Sequence, residues 1–254
     1  MAGASVPVLV APGLLGLFGG VGITAVGPGG VLPTIGLFAL TGLTPAEVAG
    51  TALVTHVATG VLATAAYLRS GQLRESGTRH TALVLAVTAV AGAPLGVLVN
   101  SYASERMFGL VLGVFTAGVA GLVWFREARR PAAERAHPST AVVAGLGGAV
   151  AVAAGVVGIG GPMLTVPVLV AMGVPLLEAL AAAQAQSVVI AGVGTVGYLA
   201  RGAVDWPLAV LVGVPELAGV LLGWRIAHAL PTRRLKYALI ATLFALAPYL
   251  ALHG

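Results

Sequence analysis

The chain has 254 residues, of which 58% are hydrophobic and only 8% charged, with a net charge of +5. Soluble domains carry about 25% charged residues. With so few charges to coat a water-facing surface, and a mean hydropathy of +1.03, the chain belongs to the polytopic membrane class. Cys is absent, which excludes disulfide frameworks, thiolate nucleophiles and Cys metal sites, and the basic residues sit in short loops between apolar runs rather than in a patch that would bind nucleic acid.

Met1 to Pro7 lacks the basic start of a cleaved signal peptide, so the first apolar run, Val6 to Ala25, is expected in the mature chain. Gly19, Gly20 and Gly22 interrupt it. The stretch Gly27-Pro28-Gly29-Gly30-Val31-Leu32-Pro33-Thr34 then sets a glycine cluster and prolines inside apolar sequence. At membrane depth such non-helical backbone is tolerated only where protein buries it or it lines a cavity. The following piece, Gly30 to Thr41, would reach about 18 Å as helix against a hydrocarbon core of about 30 Å. The first two runs therefore read as a hairpin of short helices.

Thr44-Pro45-Ala46-Glu47 reads as a helix start, with Thr44 as N-cap, Pro45 at the first helical position and Glu47 as the acid of a capping box. The helix runs to about Leu68. Arg69 to His80 is a polar loop, Thr81 to about Asn100 spans, a turn lies near Ser104, and Met107 to Phe125 spans again. Arg126 to Ser139, rich in Arg, Glu and Pro, reads as a linker.

The second half repeats this order. Thr140 to Val157 leads to a second break, Gly158-Ile159-Gly160-Gly161-Pro162-Met163-Leu164-Thr165, and a short piece to Met172. Pro175 to Leu199, Pro207 to about Ala227 and Leu235 to Leu252 span. Residues 27–71 align without a gap on 158–202, with identities at Gly27, Gly29, Gly30, Thr34, Gly42, Glu47, Ala52, Val57, Thr64, Tyr67, Leu68 and Gly71. GxxxG pairs at Gly92/Gly96 and Gly219/Gly223 are expected to pack helices, either within the chain or in a homodimer.

Eleven of the thirteen Lys and Arg fall in three segments, around Arg69 to Arg79, Arg126 to Arg135 and Arg225 to Lys236. The positive-inside rule places these in the cytoplasm. The Ser104 and Arg201 turns, and both termini, then lie outside. Trp124, Trp206 and Trp224 fall near predicted helix ends, where aromatic belts form. The expected fold is an all-α polytopic membrane protein of two inverted repeats, residues 1–125 and 140–254 around a cytoplasmic linker at 126–139. Each repeat holds a broken-helix hairpin and three spanning helices.

Paired breaks at matching positions point to a transporter's binding site. A helix N-terminus carries unpaired N–H groups and about half a positive charge, a site for an anion that needs no Lys or Arg. The substrate-binding candidates are Gly27, Gly29, Gly30, Thr34, Thr51, Thr55, His56, Gly158, Gly160, Gly161, Thr165, Gln184, Gln186 and Ser187. A Thr in a membrane helix can equally bond its own backbone or a neighbour. His56 is open between proton carriage, anion binding and a structural bond. Glu216, an acid inside a spanning helix, is a proton-coupling candidate with His56, or a structural partner of a broken helix. Glu47 and Glu178 read as caps. His80, His137, His228 and His253 lie in loops or at ends, and no carboxylate pair shares a helix face, so neither an enzyme nor a metal or cofactor site is expected.

The Gly-x-Gly-Gly breaks, the Gly50-Thr51-Ala52-Leu53 step and the stretch Tyr198-Leu199-Ala200-Arg201-Gly202-Ala203-Val204-Asp205-Trp206 resemble the sulfite exporter TauE/SafE family of bacterial anion permeases. The resemblance covers nearly the whole chain. It implies transport of sulfite, sulfonates or sulfoacetate-like anions across the inner membrane, and it carries Gly27, Gly29, Gly30, Gly158, Gly160, Gly161 and Thr51 over as site positions. The chain departs from the pattern at Pro28, at Gly36 where the second half has Pro167, and at Ala182-Ala183-Gln184. The reading is a secondary transporter of a small sulfur oxyanion, coupled to a proton or sodium. The alternatives are an anion channel, or a transporter of a non-sulfur anion, with the same fold.

Overall fold

The computed structural model describes residues 6–104 and 138–231, with positions 106, 110, 114, 118, 121, 234, 237 and 241 individually. Apart from those single positions, the expected spans Met107 to Phe125 and Leu235 to Leu252, and the linker from Arg126 to His137, lie outside the described residues. Every regular element among the described residues is helical. The order is α1 (Val6–Ala25), a 3-10 turn at Pro28–Gly30, α2 (Val31–Leu40), α3 (Pro45–Arg69), a second 3-10 turn at Gln72–Arg74, α4 (Ser76–Asn100), α5 (Thr140–Val157), α6 (Pro162–Ala171), α7 (Leu176–Leu199) and α8 (Trp206–Ala229). Five of these, α3, α4, α5, α7 and α8, are long and apolar enough to cross a membrane.

The capping box expected at the start of α3 is present. Glu47 Oε2 accepts from the Thr44 backbone N–H at 2.8 Å, and Thr44 Oγ1 accepts from the Glu47 N–H at 3.4 Å. Glu178 does not cap its own helix: it accepts a hydrogen bond from Thr78 Oγ1 at 3.1 Å, tying the first turn of α7 to that of α4. α4 begins at Ser76 rather than Thr81, because Glu75 accepts from the Thr78 N–H at 2.9 Å and caps a polar first turn that contains Arg79 and His80.

The first hairpin is not a pair of short helices. α1 runs unbroken for 20 residues, about 30 Å, through Gly19, Gly20 and Gly22, and only α2, at 10 residues, is short. The glycines do not interrupt α1 because each is a point of close packing: Gly20, with Gly16, forms its seam with α8, while Gly19 and Gly22 lie against Pro33 and Gly29 at the first break. A Cβ at Gly16 or Gly20 would collide with the carbonyl oxygens of Val212 and Glu216, and one at Gly219 or Gly223 with those of Leu17 and Val21. Small residues let membrane helices approach backbone to backbone. A matching seam joins α4 to α5, where Gly96 faces the Val152 carbonyl and Gly155, and Gly92 faces Ala151. Both GxxxG pairs are thus covered by this chain's own helices. α3 packs on α7 and α8, and α7 on α4, which sets α3 and α7 side by side at the centre.

Candidate functional site

At each break the chain reverses through a glycine with positive φ. Gly27 has φ 111° and Gly158 has φ 74°, values that side chains with a Cβ rarely adopt. The short helices that follow start at Gly30 and Gly161, and no side chain caps either N-terminus. Two tyrosines at matching positions hold the ends of the preceding helices: Tyr67 donates to the Thr24 carbonyl at 2.6 Å and Tyr198 to the Gly155 carbonyl at 2.8 Å. The breaks also touch. Thr34 Oγ1 donates to the Gly158 carbonyl at 3.2 Å, and a Cβ on Gly27 would lie 2.8 Å from Val166 Cβ and 3.1 Å from the Pro162 carbonyl.

His56 of α3 lies where the two breaks meet. A Cβ built on Gly30 would sit 3.4 Å from its Nε2, and one on Gly160 would sit 4.0 Å from its Cγ and 2.8 Å from Ser187 Oγ. The side chain is 1% exposed. Its Nε2 is 3.2 Å from Glu216 Oε1, and Glu216 is wholly buried. The two are at ion-pair distance but not aligned as a hydrogen bond, and neither His56 Nδ1 nor Glu216 Oε2 has a partner among the described residues. Buried polar side chains are nearly always satisfied, so these open valences at the junction of two uncapped helix N-termini mark the place where a polar ligand would be held. Gly30, Gly160, His56, Ser187 and Glu216 form this centre.

The other candidates stand in three different relations to it. Gln186 is a strap: it accepts from Thr165 Oγ1 at 2.6 Å, donates to the Gly147 carbonyl at 3.1 Å, and its Oε1 lies 3.0 Å from a Cβ placed on Gly161. Gln184 donates to the Ile23 carbonyl of α1 at 2.9 Å, leaving its Oε1 without a partner. Thr55 Oγ1 bonds the Ala52 carbonyl of its own helix at 2.9 Å, and Thr51 Oγ1 accepts from the Asp205 N–H at 2.9 Å, beside the cap of α8. Gly29 is packed against the Gly19 and Ile23 backbone, and Gly158 against Ala49, so their missing side chains make room for protein rather than for a ligand.

The family model for the sulfite exporter TauE/SafE family matches residues 13–250. The chain belongs to the TauE/SafE family. Neither a curated protein nor a solved structure matches it. Family and fold together make it a multi-pass membrane transporter, and a transporter family accords with the expectation of a non-enzyme.

In this TauE/SafE chain the position in the second repeat that corresponds to His56 is Ser187. The first half supplies the imidazole, therefore, and the second a hydroxyl, and both border Gly160. Sequence reasoning named both, but it gave Glu216 no cationic partner. His56 and Glu216 lie on different helices, and only the packing of α3 on α8 brings them together. The tyrosines that fix the breaks were visible as identities between the halves but not as holders of the breaks. The signal was there in the repeat of a large polar side chain at one register.

Proposed function

We propose that the chain is a secondary transporter that moves a small sulfur-containing oxyanion (sulfite, a sulfonate or a sulfoacetate-like ion) across the bacterial inner membrane, with the anion held between the two breaks. The observation that carries this is the position of His56, whose ring borders both breaks, beside two helix N-termini that no described side chain caps, and whose buried Nδ1 has no partner among the described residues. Backbone N–H dipoles and one imidazole suit a compact oxyanion that accepts several hydrogen bonds. Ser187 adds a hydroxyl on the side of the second break. The paired bonds of Tyr67 and Tyr198 support a pair of inverted repeats, which in alternating access expose a midplane site to each side in turn. The proposal includes both termini on the outer face, as the loop charges require.

The test is thermal stabilisation of the purified protein by sulfite, sulfate, thiosulfate, sulfoacetate, taurine, a phosphonate and a simple carboxylate. A ligand present at about 100 times its dissociation constant adds about 2.7 kcal/mol. Stabilisation by sulfur oxyanions that falls to about half, about 1.4 kcal/mol, in Ser187→Ala is the expected result. Stabilisation by cations or neutral solutes alone would overturn the reading.

A further inference from the structure

A carboxylate at a site proposed for anions needs a reason. Glu216 is 0% exposed, and its Oε1 lies 3.2 Å from His56 Nε2, the ring that borders both breaks. Among the described residues, the helices that enclose the pair supply no other charge near it. α1, α2 and α6 contain no Asp, Glu, Lys, Arg, His or Tyr at all. On α3 the other titratable groups are Glu47, Tyr67 and Arg69, on α7 they are Glu178 and Tyr198, and on α8 they are Arg225 and His228. All of them lie two or more turns from the pair along their helices. An unpaired charge in this interior is costly, so the centre must be close to neutral both before and after an anion enters. An imidazolium and a carboxylate meet that condition without substrate. An imidazolium, a carboxylate and a monoanion do not.

We infer that Glu216 is the site's resident anion, which a substrate monoanion displaces from His56 while one proton from solution adds to the departing Glu216 carboxylate. This rests on the proposed anion site. The balance is simple: the carboxylate and the incoming proton become a carboxylic acid, the imidazolium keeps both N–H groups, and its ion-pair partner changes from Glu216 to the substrate. Net charge is zero before and after. Anion and proton thus enter together, one for one, and no lysine or arginine is required. The pair breaks the symmetry of the repeats, since the position matching His56 is a serine. Proton coupling therefore belongs to one centre rather than to two.

Methanesulfonate, a monoanion across the accessible pH range, is the probe. Its binding to the purified, detergent-solubilised protein is titrated calorimetrically in Tris and in triethanolamine, neither of which is a sulfonate, and the difference in heat counts the protons taken up. Infrared difference spectra on addition of methanesulfonate follow the carbonyl stretch of a protonated carboxyl in the wild type and in Glu216→Gln. The expected result is one proton per bound anion and a protonated-carboxyl band that rises in the wild type and is missing in the variant. Binding without proton uptake would overturn the inference and leave the anion site standing. So would uptake with no new carboxyl band, or the same band in Glu216→Gln. If the variant does not fold, the wild-type proton count and band decide. Failure of methanesulfonate and every sulfur oxyanion to bind the wild type would remove the site and this inference together.

Discussion

Tyr67 and Tyr198 make the same bond from matching positions on α3 and α7. Each phenol donates to the carbonyl three residues before the first glycine of a break, Thr24 in one case and Gly155 in the other. Both rings are fully buried, and each carbonyl lies in the last turn of its helix, where acceptors lack intrahelical donors. Tyr67→Phe and Tyr198→Phe should each lower stability by about 1–3 kcal/mol, the cost of leaving a buried acceptor unmade. Thermal unfolding in detergent measures this, and an unchanged midpoint for both would mean that the breaks are held by other contacts.

Glycines at the seam between α1 and α8 should tolerate nothing larger, whereas a glycine facing open space should. Gly219→Leu forces a side chain into the Leu17 carbonyl, while a Cβ on Gly192 meets nothing within 4 Å. The first change should cost about 3 kcal/mol or more, beyond the usual range for overpacking because backbone rather than side chain must move. Gly192→Ala should be neutral or slightly stabilising. Unfolding midpoints of the two variants, measured side by side, check the contrast.

Gln186 and Ser187 are neighbours in sequence with different tasks. Gln186→Ala severs the ties to Thr165 and Gly147 and should cost about 2 kcal/mol of stability. Ser187→Ala should leave the unfolding midpoint within about 0.5 kcal/mol and weaken anion binding roughly tenfold, by loss of one hydrogen bond to a charged ligand. Parallel unfolding and binding measurements separate the two effects. A Ser187→Ala protein that binds as tightly as wild type would remove that hydroxyl from the site.

If one proton enters with each anion, affinity for a fixed-charge sulfonate depends on pH with a definite sign. The proton is on the bound side of the equilibrium, so raising the pH weakens binding, by about tenfold per unit while one full proton is taken up. Lowering the pH strengthens it. Dissociation constants for methanesulfonate across the neutral range give the slope directly, and a flat profile contradicts one-for-one entry.

The caps offer a test remote from the centre. Asp205 Oδ1 accepts from the Leu208 N–H at 2.9 Å, and Thr44 closes a capping box with Glu47. Asp205→Ala and Thr44→Ala should each cost about 0.5–2 kcal/mol, seen as a lower unfolding midpoint, and their effects should add because the caps belong to different helices.

The places where helices stop were largely legible in the sequence, because glycine, proline and a capping Thr-Pro-x-Glu act locally. The breaks at Gly27 and Gly158 and the start of α3 at Pro45 come from such signals. The glycines of α1 misled for the same local reason: Gly19, Gly20 and Gly22 look like interruptions until α8 is seen lying against Gly20, and Pro33 and Gly29 against the other two. The centre was legible only in pieces. His56 and Glu216 each appear as a lone polar residue in an apolar helix, and nothing in either helix says that the other is its partner. Gln186 was readable as a polar candidate in an apolar helix, but its use as a strap to Thr165 and Gly147 depends on three helices meeting.

The two glycine seams also decide which parts of the protein can shift against one another. One binds α1 to α8 and the other binds α4 to α5, so the opening helix of each sequence half is fastened to a late helix of the other. Backbone pressed on backbone leaves no layer of flexible side chains to act as a bearing. A swing that parted residues 1–125 from residues 140–254 would have to tear both seams at once. Among the described helices, then, the units that backbone contact locks together are interleaved along the sequence rather than consecutive.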